Sequence, residues 1–339
     1  MDKAISPVGI TSGRGGTSVT GQGETHSIDR PRIIVICGPT GLGKTAVAVT
    51  LAEAFHAEII SADSMQIYRH MTIGTAKPTP LEQAGAPHHM IDIVDPDQSF
   101  DAAQYARMAR AIVVDLHGKG RSVLVVGGTG LYIKALVHGL FQAEPPDPHI
   151  RQRLKEEVET IGMDVLYRRL VADDPAAAGK IHANDQFRII RALEVREATG
   201  QPISDLHQAH GFVDEPFAVL KIGLHMERDA LYDRINRRVD AMIDKGLLAE
   251  VQGLLTMGYS ADLKSMQSIG YRHMAAFIQG HLSWDEAVRT LKRDTRRYAK
   301  RQLTWFNKDP GLLWMNPDNP DAIRLQIEHF LQNRQTEPQ

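Results

Sequence analysis

Gly38-Pro39-Thr40-Gly41-Leu42-Gly43-Lys44-Thr45 fits the pattern G-x-x-x-x-G-K-[ST] without a mismatch. The glycines let successive backbone N–H groups turn inward on an anion, and a helix opening at Thr45 adds the positive end of its dipole. Lys44 supplies a point charge for phosphates, and the Thr45 hydroxyl can hold Mg²⁺. The apolar run Ile33-Ile34-Val35-Ile36 reads as a strand before this loop, and a helical pattern follows it to about Phe55. That strand–loop–helix setting is what a phosphate-binding loop requires. Most such loops bind ATP or GTP, and those enzymes end a later apolar strand in an Asp that holds magnesium. Here the later strand, Ser122-Val123-Leu124-Val125-Val126, runs into Gly127-Gly128-Thr129-Gly130 with no acid. An ATPase is thereby disfavoured, and the cradle stays open to a smaller diphosphate.

A carboxylate belongs beside that loop. Glu58-Ile59-Ile60-Ser61 reads as a strand followed by Asp63. In a doubly wound sheet the strand C-termini all face one ligand crevice, so Asp63 and Thr129 are both expected there. Position alone divides Asp63 between a helix-cap or turn role and catalysis. His88 and His89 are adjacent in a turn and do not easily share one metal, so structural roles are expected. Cys37, the single cysteine, excludes a disulfide framework and a cysteine-rich metal site. It lies in an apolar run and reads as a buried core residue.

The elements that must position these groups alternate. Asp101 to about His117 reads as a helix capped by Ser99, and Leu131 to about His138 as another. Fully apolar strands alternating with helices predict an α/β fold with a parallel, doubly wound sheet. The texture changes at Glu144-Pro145-Pro146-Asp147-Pro148. Residues 144–213 read as a helical insertion between two parts of one core, 31–143 and 214–320. Phe217–Leu224 reads as a strand, Asp229–Leu255 and Trp284–Phe306 as long helices, and 321–339 as a C-terminal helix and tail. Residues 1–30, rich in Gly, Ser and Thr, are expected to form a disordered leader. No apolar stretch approaches a membrane span, and a cytoplasmic monomer is expected. The formal net charge of −2 means that any RNA contact must come from local basic patches.

Several linked segments, in order, resemble the bacterial tRNA dimethylallyltransferase (tRNA isopentenyltransferase) family. They are Gly38–Thr45, Asp63-Ser64-Met65-Gln66-Ile67-Tyr68, Ile73–Pro78, Pro87–Asp92 and Val126–Tyr132. Asn184-Asp185 with Arg188 and Arg191-Ala192-Leu193-Glu194, Ser268–Arg272, and Lys300–Trp305 complete the series. The likeness spans roughly residues 32–316. It implies a P-loop NTPase-like core and Mg²⁺ as cofactor. The implied reaction moves a dimethylallyl group from dimethylallyl diphosphate to N6 of adenine 37, in tRNAs that read codons beginning with U. By the same likeness Asp63 is the catalytic base, Thr129 works near the reacting carbon, and Lys44 stabilises the leaving diphosphate. Arg238 would grip that diphosphate from a helix, with Arg237 the neighbouring candidate.

For RNA, the likeness implies that the target base leaves the anticodon stem-loop and meets Asp63, Ser64, Met65, Gln66 and Thr129. The insertion would bind the stem through Arg151 and Phe187-Arg188-Ile189-Ile190-Arg191. Gln267-Ser268-Ile269-Gly270-Tyr271-Arg272, Lys300 and Arg301 are further expected contacts. Related sequences commonly carry Gln where this chain has Phe187, which suits stacking on a base in place of hydrogen bonding. Arg289, Lys292, Arg293, Arg296, Arg297, Lys300 and Arg301 are opposed in their own stretch only by Asp294. They form a basic stripe suited to phosphates, with Trp284, Val288, Leu291, Tyr298 and Trp305 on a separate apolar seam. Three other readings fit parts of the pattern. A small-molecule kinase explains the loop and the insertion. A nucleotide-regulated RNA-binding protein explains the loop and the basic stripe. An adenylate (cytokinin-type) isopentenyltransferase keeps the chemistry and changes the acceptor.

Overall fold

In a computed structural model, residues 30–140, 148–210 and 214–333 are described. Residues 1–29 of the expected leader, 144–147 and 211–213 of the expected insertion, and 334–339 of the expected tail lie outside them. Six parallel strands form one sheet in the order β3-β2-β4-β1-β5-β6. They are β1 (Arg32–Cys37), β2 (Ala57–Ser61), β3 (His88–His89), β4 (Ser122–Gly127), β5 (Ala218–Leu224) and β6 (Leu312–Met315). The apolar strands are explained by two-sided burial. Ile33, Val35, Val123 and Val125 enter one core, while Ile34, Ile36, Leu124 and Val126 enter the other.

The first core is closed by α3 (Ala102–Gly118), α4 (Gly130–His138), α11 (Leu247–Thr256), α12 (Tyr271–Ile278) and α13 (Trp284–Phe306). The second is closed by α1 (Lys44–Phe55), α10 (Arg228–Asp244) and α14 (Pro320–Gln332). A short helix, α2 (Pro80–Gly85), precedes β3. Helices α5 (Pro148–Ile161), α6 (Met163–Asp173), α7 (Pro175–Ala178), α8 (Gln186–Thr199) and α9 (Ile203–His210) form a helical unit between α4 and β5 in the chain. It has a core of its own, built on Leu154, Leu166, Leu170, Ile189 and Leu193.

Three local expectations are corrected. The cap of α3 is Asp101, not Ser99, because Asp101 accepts from Ala103 and Gln104 N–H while Gln104 reaches back to the Asp101 N–H. The long helix expected over 229–255 breaks into α10 and α11 at Gly246, which sits at φ +97°. The edge strand β6 pairs with β5 and was not anticipated.

Candidate active site

Three strand tips stand side by side. Cys37 at the end of β1 is in register with Gly127 of β4, and Ser61 of β2 is in register with Val126 of β4. The phosphate loop leaves β1, Thr129 follows β4, and Asp63 follows β2, so Thr129 lies between the loop and the carboxylate. The tips pack closely. A Cβ on Gly127 would stand 2.1 Å from the Ala62 carbonyl, and the Thr129 N–H donates to that carbonyl at 3.1 Å.

The loop has the backbone that an anion cradle needs. Gly38, Gly41 and Gly43 lie at φ +136°, +91° and +75°. Lys44 opens α1 and donates from Nζ to the Gly38 and Pro39 carbonyls at 3.0 and 2.9 Å, folded over its own loop. Burial, and then the neighbouring Arg238 cation, push the Lys44 ammonium down to about 8, while Asp63 works the other way. Arg238 is itself lowered by burial and sustained by Asp63. Lys44, Arg238 and Asp63 therefore share one electrostatic neighbourhood. Of the two arginines offered by the sequence, Arg238 is the half-buried one facing this site, while Arg237 is exposed. Both line an open cavity of about 800 Å³ with Gly41, Gly43 and Arg234.

Asp63 fills the turn role. Its Oδ1 accepts from the Met65 N–H at 2.8 Å and the Gln66 N–H at 3.4 Å, closing the turn after β2. The carboxylate remains half-buried beside Thr129. Thr129 Oγ1 accepts from the Ser64 N–H at 3.0 Å and donates to Ser64 Oγ at 3.3 Å. Tyr298 of α13 stands beside Thr129, and its phenol is raised first by burial and then by the Asp63 charge. Tyr298 thus belongs to this site and not to an apolar seam. Gln302 was also missed. Its amide joins Thr40 of the loop to Gly128. A helical face is visible in the sequence, but what it packs against is not.

Not every expected RNA contact offers a side chain. Ile189, Ile190 and Tyr271 are buried, so side-chain contact by these three is corrected to a packing role. The Gln66 side chain is used internally, accepting from the Ser61 hydroxyl and donating to the Thr75 and Ala76 carbonyls. Gly270 is buried, Ile269 and Met65 pack against the main core, and the Gln267 amide donates to the Ala261 carbonyl. Ser268 Oγ is buried with no hydrogen-bond partner. The Tyr271 hydroxyl donates at 2.6 Å to Glu250, whose carboxylate also accepts from the N–H groups of Thr72, Ile73 and Gly74. Gly74 must lack a side chain, since a Cβ there would stand 2.4 Å from the Tyr271 ring.

Phe187, 70% exposed, and Arg188 project from the insertion, with Arg188 paired to Asp185. Arg151 and Arg191 instead converge on the buried Glu194 at 2.7 and 2.9 Å. The basic stripe is partly neutralised. Lys292 pairs with Asp240 of α10, Arg289 with Glu286, and Arg293, Arg297 and Arg272 with Asp294. Although partial burial opposes it, hydrogen bonds from Arg293 and Arg272 hold the Asp294 carboxyl below the usual carboxylate range. Lys300 and Arg301 stay exposed, with Arg301 over the Tyr298 ring. His88 and His89 have the structural roles expected: His88 Nδ1 contacts the Ala86 carbonyl and His89 Nε2 contacts Glu58.

The family model described as IPP transferase matches residues 66–309. The chain belongs to that family. It is 55% identical over 303 residues to a tRNA dimethylallyltransferase of Desulfosudis oleivorans, covering 89% of this chain and 96% of that protein. It also resembles the solved full-length tRNA isopentenylpyrophosphate transferase of Bacillus halodurans, with a TM-score of 0.67 and 41% identity over 89% of this chain and 97% of that one. A eukaryotic dimethylallyltransferase solved acting on tRNA matches with a TM-score of 0.77 and 27% identity, covering 91% of this chain and 81% of the other. The family establishes a prenyltransferase on a P-loop NTPase-like core. Among the described residues no helix is long and apolar enough to cross a membrane.

Proposed function

We propose that this member of the family transfers a dimethylallyl group from dimethylallyl diphosphate to the exocyclic amine of an adenine in the anticodon stem-loop of tRNA, in the cytoplasm. The observation that carries the reading is the line of three strand tips: an anion cradle with Lys44, then Thr129, then Asp63. The amine is a weak nucleophile because its lone pair is delocalised into the ring. As its nitrogen bonds to the allylic carbon, the carbon–oxygen bond breaks and diphosphate departs. Asp63 accepts the proton that the nitrogen must lose. Lys44, Arg238 and the loop N–H groups stabilise the negative charge growing on the leaving group. Thr129, held by Ser64, fixes the spacing between the two ends of the reaction.

Among the described residues no cluster of three or more His, Cys, Asp or Glu side chains could hold a metal unaided. The Thr45 hydroxyl, at the start of α1, would be the group of this chain to hold Mg²⁺. When bound, the ion would neutralise charge on the diphosphate.

Phe187, Arg188, Lys300 and Arg301 are exposed and suited to RNA, by stacking and by phosphate contact. These groups and the insertion favour RNA over a free nucleotide as acceptor. The test supplies labelled dimethylallyl diphosphate, magnesium and equal amounts of AMP and an anticodon stem-loop. Label on the RNA is expected; label confined to AMP sinks the tRNA reading.

A further inference from the structure

Gln302 lies on α13, outside the loop, the carboxylate and Thr129, yet it is bonded to both sides of the site. It is 6% exposed. Its Oε1 accepts from the Thr40 N–H of the phosphate loop at 2.9 Å, and its Nε2 donates to the Gly128 carbonyl at 2.9 Å. The neighbouring turns of α13 grip the same segment after β4. Tyr298, four residues earlier, stands beside Thr129, and the Trp305 indole, three residues later, covers Gly130. Spacing of four and three residues puts all three side chains on one helix face. The glycines are shaped for this clasp. A Cβ on Gly128 would stand 2.2 Å from Gln302 Nε2, and one on Gly130 would stand 2.1 Å from Trp305 Nε1.

We propose that Gln302 is a positioning residue: its amide fixes the distance between the diphosphate cradle and the Thr129–Asp63 end of the site. A primary amide suits this place because it offers one acceptor and one donor at the same time. By holding the Thr40 N–H it fixes that turn of the loop, and with it the conformation in which the remaining loop amides meet the diphosphate. It also anchors the residue just before Thr129. The inference rests on the transfer reading, but its effect on the cradle does not require transfer.

Three variants test it, each compared with the unsubstituted chain for stem-loop affinity, inorganic pyrophosphate affinity and prenyl transfer. Gln302→Met keeps the bulk and removes both hydrogen bonds. It is expected to lower kcat about 10²-fold, the usual consequence of displacing reacting groups by roughly 1 Å. Pyrophosphate affinity should fall severalfold and stem-loop affinity should hold. Gly128→Ala displaces the Gln302 amide without altering it and should reproduce the loss. Gln302→Glu is the most informative. An ionised carboxylate repels the Gly128 carbonyl, whereas a protonated one restores both bonds. Its kcat relative to the unsubstituted chain should therefore rise as pH falls, while the same ratio for Gln302→Met stays flat.

A residue serving only stability would lower the melting temperature and leave those ratios unchanged. Normal kcat and pyrophosphate affinity in folded Gln302→Met and Gly128→Ala, or a flat ratio for Gln302→Glu, overturns the proposal. If the unsubstituted chain transfers nothing to RNA, the functional reading fails instead. The pyrophosphate affinities then still decide whether Gln302 shapes the cradle.

Discussion

Asp63→Asn separates chemistry from architecture at the centre of the site. Asparagine retains an oxygen that can accept the Met65 N–H, now bonded to Asp63 Oδ1 at 2.8 Å, so the turn after β2 should survive. What disappears is the proton acceptor. General-base catalysis typically contributes about 10²–10⁴-fold, so kcat should fall by that factor. That is roughly 3–5 kcal/mol of transition-state stabilisation. The substitution has a second, independent consequence. Asp63 is one of the groups that support the charge on Lys44, whose ammonium is pushed down to about 8. Without the carboxylate Lys44 drops further, so pyrophosphate affinity should begin to fall at a lower pH than in the unsubstituted chain. The assays are single-turnover prenyl transfer at saturating stem-loop and pyrophosphate titration across pH 6–10. Transfer within about tenfold of normal, together with an unmoved pH limb for pyrophosphate, would refute both the base assignment and the shared electrostatics.

Other predictions follow from single contacts. Below about pH 7 Lys44 is already protonated, whereas above about 8 the free protein must take up a proton to bind a diphosphate, so affinity declines with pH. Calorimetry should show that Lys44→Gln removes this limb; persistence of the same slope assigns it to pyrophosphate's own ionisation. Glu250→Ala strips acceptors from three backbone N–H groups and the Tyr271 hydroxyl. It should cost about 3 kcal/mol, read as a melting temperature lower by roughly 5 °C; an unchanged melt contradicts the clamp. Phe187→Ala should weaken stem-loop binding about tenfold, the scale of one lost base stack, without altering the melt. Equal affinity of the two proteins retires the stacking role.

The sheet was legible because two-sided burial leaves a strand no polar positions: Ile33–Ile36 and Val123–Val126 are apolar throughout, and both cores use them. The phosphate loop and the placement of Asp63 and Thr129 were also legible, since strand tips in a parallel sheet share one edge. What escaped depends on partners distant in sequence. Gln302 and Tyr298 lie on a helix whose periodicity is plain, but only packing shows that they face Gly128 and Thr129. The basic stripe looked nearly unopposed because Asp240, which pairs with Lys292, comes from another helix. Gly246 interrupts the helix expected over 229–255 through its positive φ, which side-chain periodicity does not reveal. Strand β6 is four residues long, too short for periodicity to separate it from a loop.

The most direct measurement is a crystal structure of the chain with inorganic pyrophosphate, magnesium and an anticodon stem-loop. Pyrophosphate is expected on the Gly38–Thr45 loop, with the exocyclic nitrogen of an extruded adenine within about 3 Å of Asp63. An adenine still stacked in the RNA, or seated away from Asp63 while pyrophosphate fills the loop, would contradict that expectation.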